Sequence, residues 1–193
     1  MNYLAHLYLA PAGDECLLGN LLGDFVKNKD EFITYDKIYQ GICFHRKIDQ
    51  FTDAHLTFRK SRRRISEKNR RYAGVVIDVV YDHFLAKNWL VYSHIPLEIF
   101  VEDFYRILEK YAAILPKRLF DLKPAMIREN RLMLYRDQEG VALALERIAK
   151  RLSAPFMVEE IMREFIDNYQ ELQGDFSLFF PEAIEFAKNI TEK

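Results

Sequence analysis

The sequence predicts an all-α protein, a single-domain helical bundle, and three observations carry that prediction. Apolar residues recur at mixed steps of three and four along nearly the whole chain, the mark of amphipathic helices. Only 7 glycines and 6 prolines punctuate 193 residues, and no Asn-Gly or Asp-Gly pair lies between alternating apolar runs, so hairpins have little to turn on. No linker is long enough to divide domains, and neither a fixed-period repeat nor a low-complexity tract is present. Residues 2–10 form the first segment and stop at Pro11-Ala12-Gly13; residues 17–27 form the second and stop at Asn28-Lys29-Asp30. Segments 35–51 and 54–66 follow, then 73–91 with its apolar run at 75–85, closed by a small-residue and proline loop at 93–96. Segment 97–114 ends at Leu115-Pro116, where proline starts a helix more readily than it continues one. Segments 119–135 and 138–152 come next, the latter with a clear stripe of Leu143, Leu145, Ile148, Ala149 and Leu152. After a break at 153–155, residues 156–173 and 178–190 complete the set, separated at Gly174-Asp175.

Half of the residues are apolar and 14% are aromatic, including 15 Phe and 11 Tyr, which is enough to build a core without disulfides or a structural metal. The formal net charge is -1, so no global field commits the protein to nucleic acid or to an anionic membrane. Two cysteines, Cys16 and Cys43, fall short of a disulfide framework, and no CxxC pair offers a zinc knuckle. With no cationic leader and no membrane span expected at the N-terminus, a reducing cytoplasm fits best.

The ionisable residues of the first half are not placed like surface charges. His6 sits in Tyr3-Leu4-Ala5-His6-Leu7-Tyr8-Leu9-Ala10, a helix apolar nearly all round. Asn20 and Asp24 are four residues apart and share a helix face, flanked by Gly19 and Gly23, which would let another backbone approach. His45, Asp49 and Asp53 repeat the four-residue step, and Asp78 and Asp82 repeat it again, with His83 adjacent. A buried carboxylate without a partner costs several kcal/mol or becomes protonated, so these helices need a cation to converge on. A divalent ion would serve, and mixed imidazole and carboxylate donors suit Mn(II), Fe(II), Zn(II) or Mg(II). Each residue alone also has a structural account as a cap, an arginine partner or a core hydrogen bond, but Arg46 is the one obvious internal cation near so many acids. His55 and His94 lie at loop signals and read as surface residues. No phosphate-binding glycine loop, HExxH or GxSxG is present, and Cys43 and His45, two apart on a helix, point away from each other.

Charge is unevenly spread. Residues 59–71 hold eight basic residues against Glu67 alone, while residues 155–193 are acidic, with carboxylates from Glu159 through to Glu192. The basic run reads either as a solvated helix end or as a docking patch for an acidic partner or a phosphate-bearing ligand. It nearly lacks the aromatic residues on which nucleic-acid bases stack, which favours a protein partner.

Asn2-Tyr3-Leu4-Ala5-His6-Leu7, Gly19-Asn20-Leu21-Leu22-Gly23-Asp24-Phe25, His45-Arg46-Lys47-Ile48-Asp49 with Thr52-Asp53, and Asp78-Val79-Val80-Tyr81-Asp82-His83-Phe84-Leu85 with Trp89 resemble the successive signature blocks of the acyl carrier protein phosphodiesterases. The match is specific in residues 1–90; residues 91–193 fit in length and helical character. The resemblance implies an all-helical fold distantly related to the HD-domain metal phosphohydrolases, with hydrolysis of the 4'-phosphopantetheine arm from holo acyl carrier protein using Mn(II) or a similar ion. It carries a role onto His6, Asn20, Asp24, His45, Arg46, Asp49, Asp78, Asp82 and His83 without fixing which of them touch the metal. The mechanism it implies has an ion held by His45, Asp24 and one or both of Asp49 and Asp82, with His6 or His83 orienting a ligand or protonating the departing serine oxygen and Arg46 reaching a phosphate oxygen. Asn20, with Arg62, Arg63 and Arg64, would then contact the substrate, a small acidic protein. The His-Asp dyad of HD domains is absent, since His45 is followed by Arg46 and the Asp82-His83 pair runs in the opposite order. Two other readings stand beside this one: an HD-like phosphohydrolase of a nucleotide or small phosphate ester, and a non-catalytic helical adaptor with a basic docking patch.

Overall fold

The computed structural model describes residues 1–191; Glu192, counted above among the C-terminal acids, lies outside the described residues. Among the described residues there are eleven α-helices and no strand: α1 (Tyr3–Leu9), α2 (Asp14–Leu22), α3 (Asp36–Ala54), α4 (Leu56–Arg63), α5 (Ala73–Lys87), α6 (Trp89–Tyr92), α7 (Leu97–Lys110), α8 (Lys117–Arg128), α9 (Gln138–Ala149), α10 (Val158–Asp167) and α11 (Tyr169–Thr191). Short 3-10 turns at Lys29–Phe32, Glu67–Tyr72, Ala112–Ile114 and Met133–Arg136 join them. Helix α5 has almost no polar face, and 11 of its 15 residues are buried, so it forms the axis of the fold. Helices α1, α4, α9 and α11 and the turn Met133–Arg136 pack around it. One core cluster takes side chains from every helix, which makes a single all-α domain.

Two local features matter for the site. Helices α2 and α3 make the most extensive pairing in the molecule, and they approach closely because Gly19 faces Gly41: a Cβ on Gly19 would run into the Ile38 carbonyl. On the other side, Phe176 and Phe179 of α11 are buried beside Tyr81, and Phe180 is buried against Tyr8 and Tyr92, each worth about 1.5–3 kcal/mol of burial.

Helix boundaries depart from expectation where tertiary contacts overrule local signals. No break falls at Gly174-Asp175; α11 runs through it because Asp175 is buried against Arg64 and the phenylalanines that follow are packed in the core. The break lies instead at Asn168, whose side chain donates to the Glu164 carbonyl at 2.9 Å. Segment 73–91 divides at Asn88, which caps α5 through the Phe84 carbonyl at 2.8 Å. Segment 119–135 stops at Arg128, and Asn130 takes a left-handed conformation (φ 47°) in the turn that follows. His94 is exposed as expected, but His55 is not a free surface residue. Its ring packs on Phe51 and Phe179, and its Nδ1 accepts the Thr57 amide to cap α4. Both cysteines are free thiols. No helix among the described residues is long and apolar enough to cross a membrane.

Candidate metal centre

The site is built where α1, the C-terminal end of α2 and the middle of α3 meet. Helix α1 has no side-chain cap of its own at Asn2; its first amides are satisfied from α5. Asp82 accepts the Leu4 N–H at 2.7 Å through Oδ2 and the Ala5 N–H at 3.0 Å through Oδ1, an anion at a helix N-terminus. Burial pushes the Asp82 carboxyl up to about 7, against the pull of the two amides. One turn later, Asn20 of α2 donates to the His6 carbonyl at 2.7 Å. These three bonds fix the position of His6.

His6 and His45 stack with ring centroids 3.9 Å apart and planes 21° from parallel, and both are buried. Asp49, one turn after His45 on α3, reaches them both. Its Oδ1 lies 3.0 Å from His6 Nε2 and its Oδ2 lies 3.0 Å from His45 Nε2. The Gly23 backbone closes the other side of the His45 ring, where a Cβ would overlap it. Asp24 stands 3.9 Å from His45 Nε2. Burial, with the neighbouring His45, drives the His6 imidazole down to about 3, so it is neutral at pH 7. Burial works to raise Asp49, but the contacts from His45 and His6 outweigh it and hold the carboxyl below the usual carboxylate range. Asp24 is pushed up, by desolvation first.

The side-chain donors of His6, His45 and Asp49 all lie within 4.8 Å of one another, a group able to hold a metal ion. The bonding of the imidazoles fits that role. Among the described residues, neither ring nitrogen of His6 makes an aligned hydrogen bond, and His45 Nδ1 has no partner. A buried unpaired polar atom costs about 1–3 kcal/mol, which a cation bound to a ring lone pair offsets. The donor set is two imidazoles and a carboxylate, suited to a borderline or hard divalent ion.

The expected residues therefore separate. His6, expected to act beside an ion, stands among the atoms that could hold one, with His45 and Asp49, and Asp24 is at the edge. Asp82 caps α1 with both oxygens and lies outside the three-residue group. His83 uses both nitrogens elsewhere, Nδ1 on the Tyr135 carbonyl at 2.8 Å and Nε2 on the Tyr169 hydroxyl at 3.0 Å. Arg46 donates to the Lys27 carbonyl at 3.0 Å and so ties down the loop that follows Asp24. Asn20 is fully buried as a brace between α1 and α2. Arg64 is spent on Asp175 at 2.7 Å, Arg62 lies 4.0 Å from Asp53, and Arg63 is exposed. The sequence reading missed the Met1 nitrogen, 3.0 Å from Asp78 and 3.9 Å from Asp49, and the wall that Gly23 forms. It also missed Tyr3, one turn before His6, which stacks on Phe25 at 5.9 Å. The i to i+3 spacing of Tyr3 and His6 on one helix face was the available signal.

A family model described as acyl carrier protein phosphodiesterase matches residues 1–183. The chain belongs to the acyl carrier protein phosphodiesterase family. It is 31% identical over 189 residues to the acyl carrier protein phosphodiesterase of Pectobacterium atrosepticum, covering 97% of this chain and 98% of that one. It is 32% identical over 191 residues to the protein of the same name from Photorhabdus laumondii, covering 98% and 96%. It is 30% identical over 190 residues to that of Klebsiella pneumoniae, covering 98% of each chain. No solved structure matches, so the HD-like architecture implied by the resemblance has no structural neighbour behind it.

Proposed function

We propose that the protein is a metal-dependent phosphodiesterase that hydrolyses the 4'-phosphopantetheine arm from holo acyl carrier protein, releasing the apo form. The observation that carries this reading is the pair of buried, stacked imidazoles with unsatisfied nitrogens that share Asp49. Relatives of about the same length and 31–32% identity are named acyl carrier protein phosphodiesterase. His6, His45 and Asp49 would hold the ion, with Asp24 as the nearest further carboxylate; the donor set suits a borderline or hard divalent ion, and of these the family resemblance implies Mn(II), with Mg(II), Fe(II) and Zn(II) as alternatives. When bound, such an ion supplies Lewis acidity, acidifying water and withdrawing charge from the phosphodiester.

The residues of the chain prepare that chemistry. His6 is neutral at pH 7, so its lone pair is available without displacing a proton. Asp49 stays ionised, and its two oxygens, each 3.0 Å from one Nε2, hold both rings beside it. Arg46 holds the loop after Asp24 in place, and Asp82 and Asn20 hold α1, so the donors on α1 and α3 and the carboxylate just past α2 are set in advance. A reducing cytoplasm is the compartment that fits two free thiols and a carrier-protein substrate.

Purified protein supplied with Mn(II) is expected to convert holo carrier to apo carrier, followed by mass spectrometry. His45→Ala and Asp49→Ala should abolish conversion and leave the helical circular dichroism in place. Unchanged turnover in both variants would remove the site from the mechanism. Faster hydrolysis of a nucleotide or small phosphodiester than of holo carrier, side by side, would replace the substrate.

A further inference from the structure

Of the eight basic residues at 59–71, four lie within 4.0 Å of an acid, and Arg59, Arg63, Arg70 and Arg71 have none among the described residues. Lys60 and Arg64 both pair with Asp175, at 3.0 and 2.7 Å; Lys68 pairs with Glu160 at 2.7 Å; Arg59 donates to the Asp53 carbonyl. A second cluster of bases lies on α8, on α9, in the turn between them and just past the end of α9. Arg128, Arg131 and Arg147 share a single acid, Glu129, at 3.4, 2.9 and 3.1 Å. Arg118 and Arg151 have no acid within 4.0 Å among the described residues, and both are exposed. Five guanidinium groups thus face one carboxylate, with none of the five adjacent in sequence to form a run.

This face adjoins the candidate metal centre. Arg118 lies over the Phe25 ring at 5.3 Å, Phe25 follows Asp24 in the chain, and Tyr3 stacks on the same ring. A cavity of about 50 Å³ opens beside Tyr3, bounded also by Asn2, Tyr135, Arg131, Arg147 and Arg151. It has room for a few water-sized atoms, enough for one carboxylate group and too little for a nucleotide.

We propose that Arg118, Arg128, Arg131, Arg147 and Arg151 form the docking surface for the acidic protein that carries the phosphodiester, and that the cavity beside Tyr3 takes one carboxylate from it. The inference rests on the phosphodiesterase reading and assigns the second half of the chain its part in it. Clustered positive charge beside a reaction centre steers an acidic partner and fixes its register, while bidentate guanidinium groups grip carboxylates. The gap between Arg118 and Asp24 is bridged by a single aromatic stack, so a partner seated on the arginines brings its modified residue to the ion-binding group.

The test measures binding apart from turnover. Fluorescently labelled apo acyl carrier protein is titrated by anisotropy with wild type, with the double variant Arg118→Glu and Arg151→Glu, and with Arg63→Glu from the rival segment. The expected result is a Kd about tenfold or more higher for the double variant, unchanged melting, and a wild-type Kd that weakens as salt rises from 50 to 300 mM. Arg63→Glu is expected to stay within about twofold of wild type. Equal affinity of the double variant and wild type, or a loss confined to Arg63→Glu, overturns the surface. Wild-type conversion of holo carrier is assayed in parallel: if it is present while the double variant binds normally, the surface alone falls, and if it is absent, the phosphodiesterase reading falls and takes the surface with it.

Discussion

Gly23→Ala tests the centre without touching a donor atom. A Cβ built on Gly23 lies 2.7 Å from His45 Nδ1 and nearer still to Cγ and Cδ2, while ordinary contact between such atoms is about 3.5–4.0 Å. The obstacle is an imidazole ring gripped on one side by the His6 ring and at Nε2 by Asp49, so it has no flexible end to swing away. Either the ring or the end of α2 must move by about 1 Å. Overpacking of this kind costs about 1–3 kcal/mol of stability, tolerable for a domain of this size. Misplacement of a reacting group by about 1 Å costs about 10²-fold in rate, and disturbing the orientation of a metal ligand costs about 10–100-fold in affinity. The variant should therefore remain helical by circular dichroism, melt a few degrees lower, bind Mn(II) more weakly by calorimetry, and lose about 99% of holo carrier conversion. A Gly23→Ala protein that binds Mn(II) as tightly as wild type and turns over at the wild-type rate would refute the claim that His45 must sit against that backbone.

Two further outcomes follow from the buried carboxylates. Asp82→Asn keeps one acceptor oxygen but sets an NH2 group against an amide of α1, so it should cost about 2–3 kcal/mol and weaken metal binding about tenfold while leaving the number of bound ions unchanged; outright loss of the ion, read by elemental analysis, would put Asp82 among the ligands. Asp175 tests acid stability: burial works to raise its pKa, but Arg64, Lys60 and Ser61 outweigh it and hold the folded value below that of the unfolded chain. Its contribution is therefore complete above about pH 4 and is lost as pH falls through the folded value. Asp175→Asn should lower stability at pH 7 by about 3 kcal/mol, near the low end for a buried pair because Arg64 is 21% exposed and can reach water, and should flatten the dependence of urea midpoints on pH below 4. Parallel acid titrations of the two proteins would contradict the assignment.

The helical class and most of the segments were legible because period and punctuation are local properties of the chain. The boundaries that moved are those where a distant partner decides. Gly174-Asp175 reads as a stop, yet Arg64, more than a hundred residues earlier, holds Asp175 inside the protein and the helix continues. Within the basic run at 59–71, the acids that pair with Lys60, Arg64 and Lys68 lie on α10 and α11 and are invisible from the run itself. The arginines around Glu129 were missed because they come from two helices and a turn, and no stretch of sequence gathers them.

The candidate site shows the same division within one residue type. Asp49 and Asp82 are both acids on helices that face the core, each four residues after another member of the pattern, and nothing in their own neighbourhoods separates a candidate metal donor from a helix cap. What separates them is the group at the far end of each carboxylate. Asp82 meets two backbone N–H groups, whose donor capacity is consumed by the two bonds they make; Asp49 meets two imidazoles that keep unpaired nitrogens after the contact. The first arrangement is closed and can only position α1. The second is left with unsatisfied nitrogens in a buried place, which is why His6, His45 and Asp49 are the group that could hold an ion, while Asp82 bears on that group through the placement of His6.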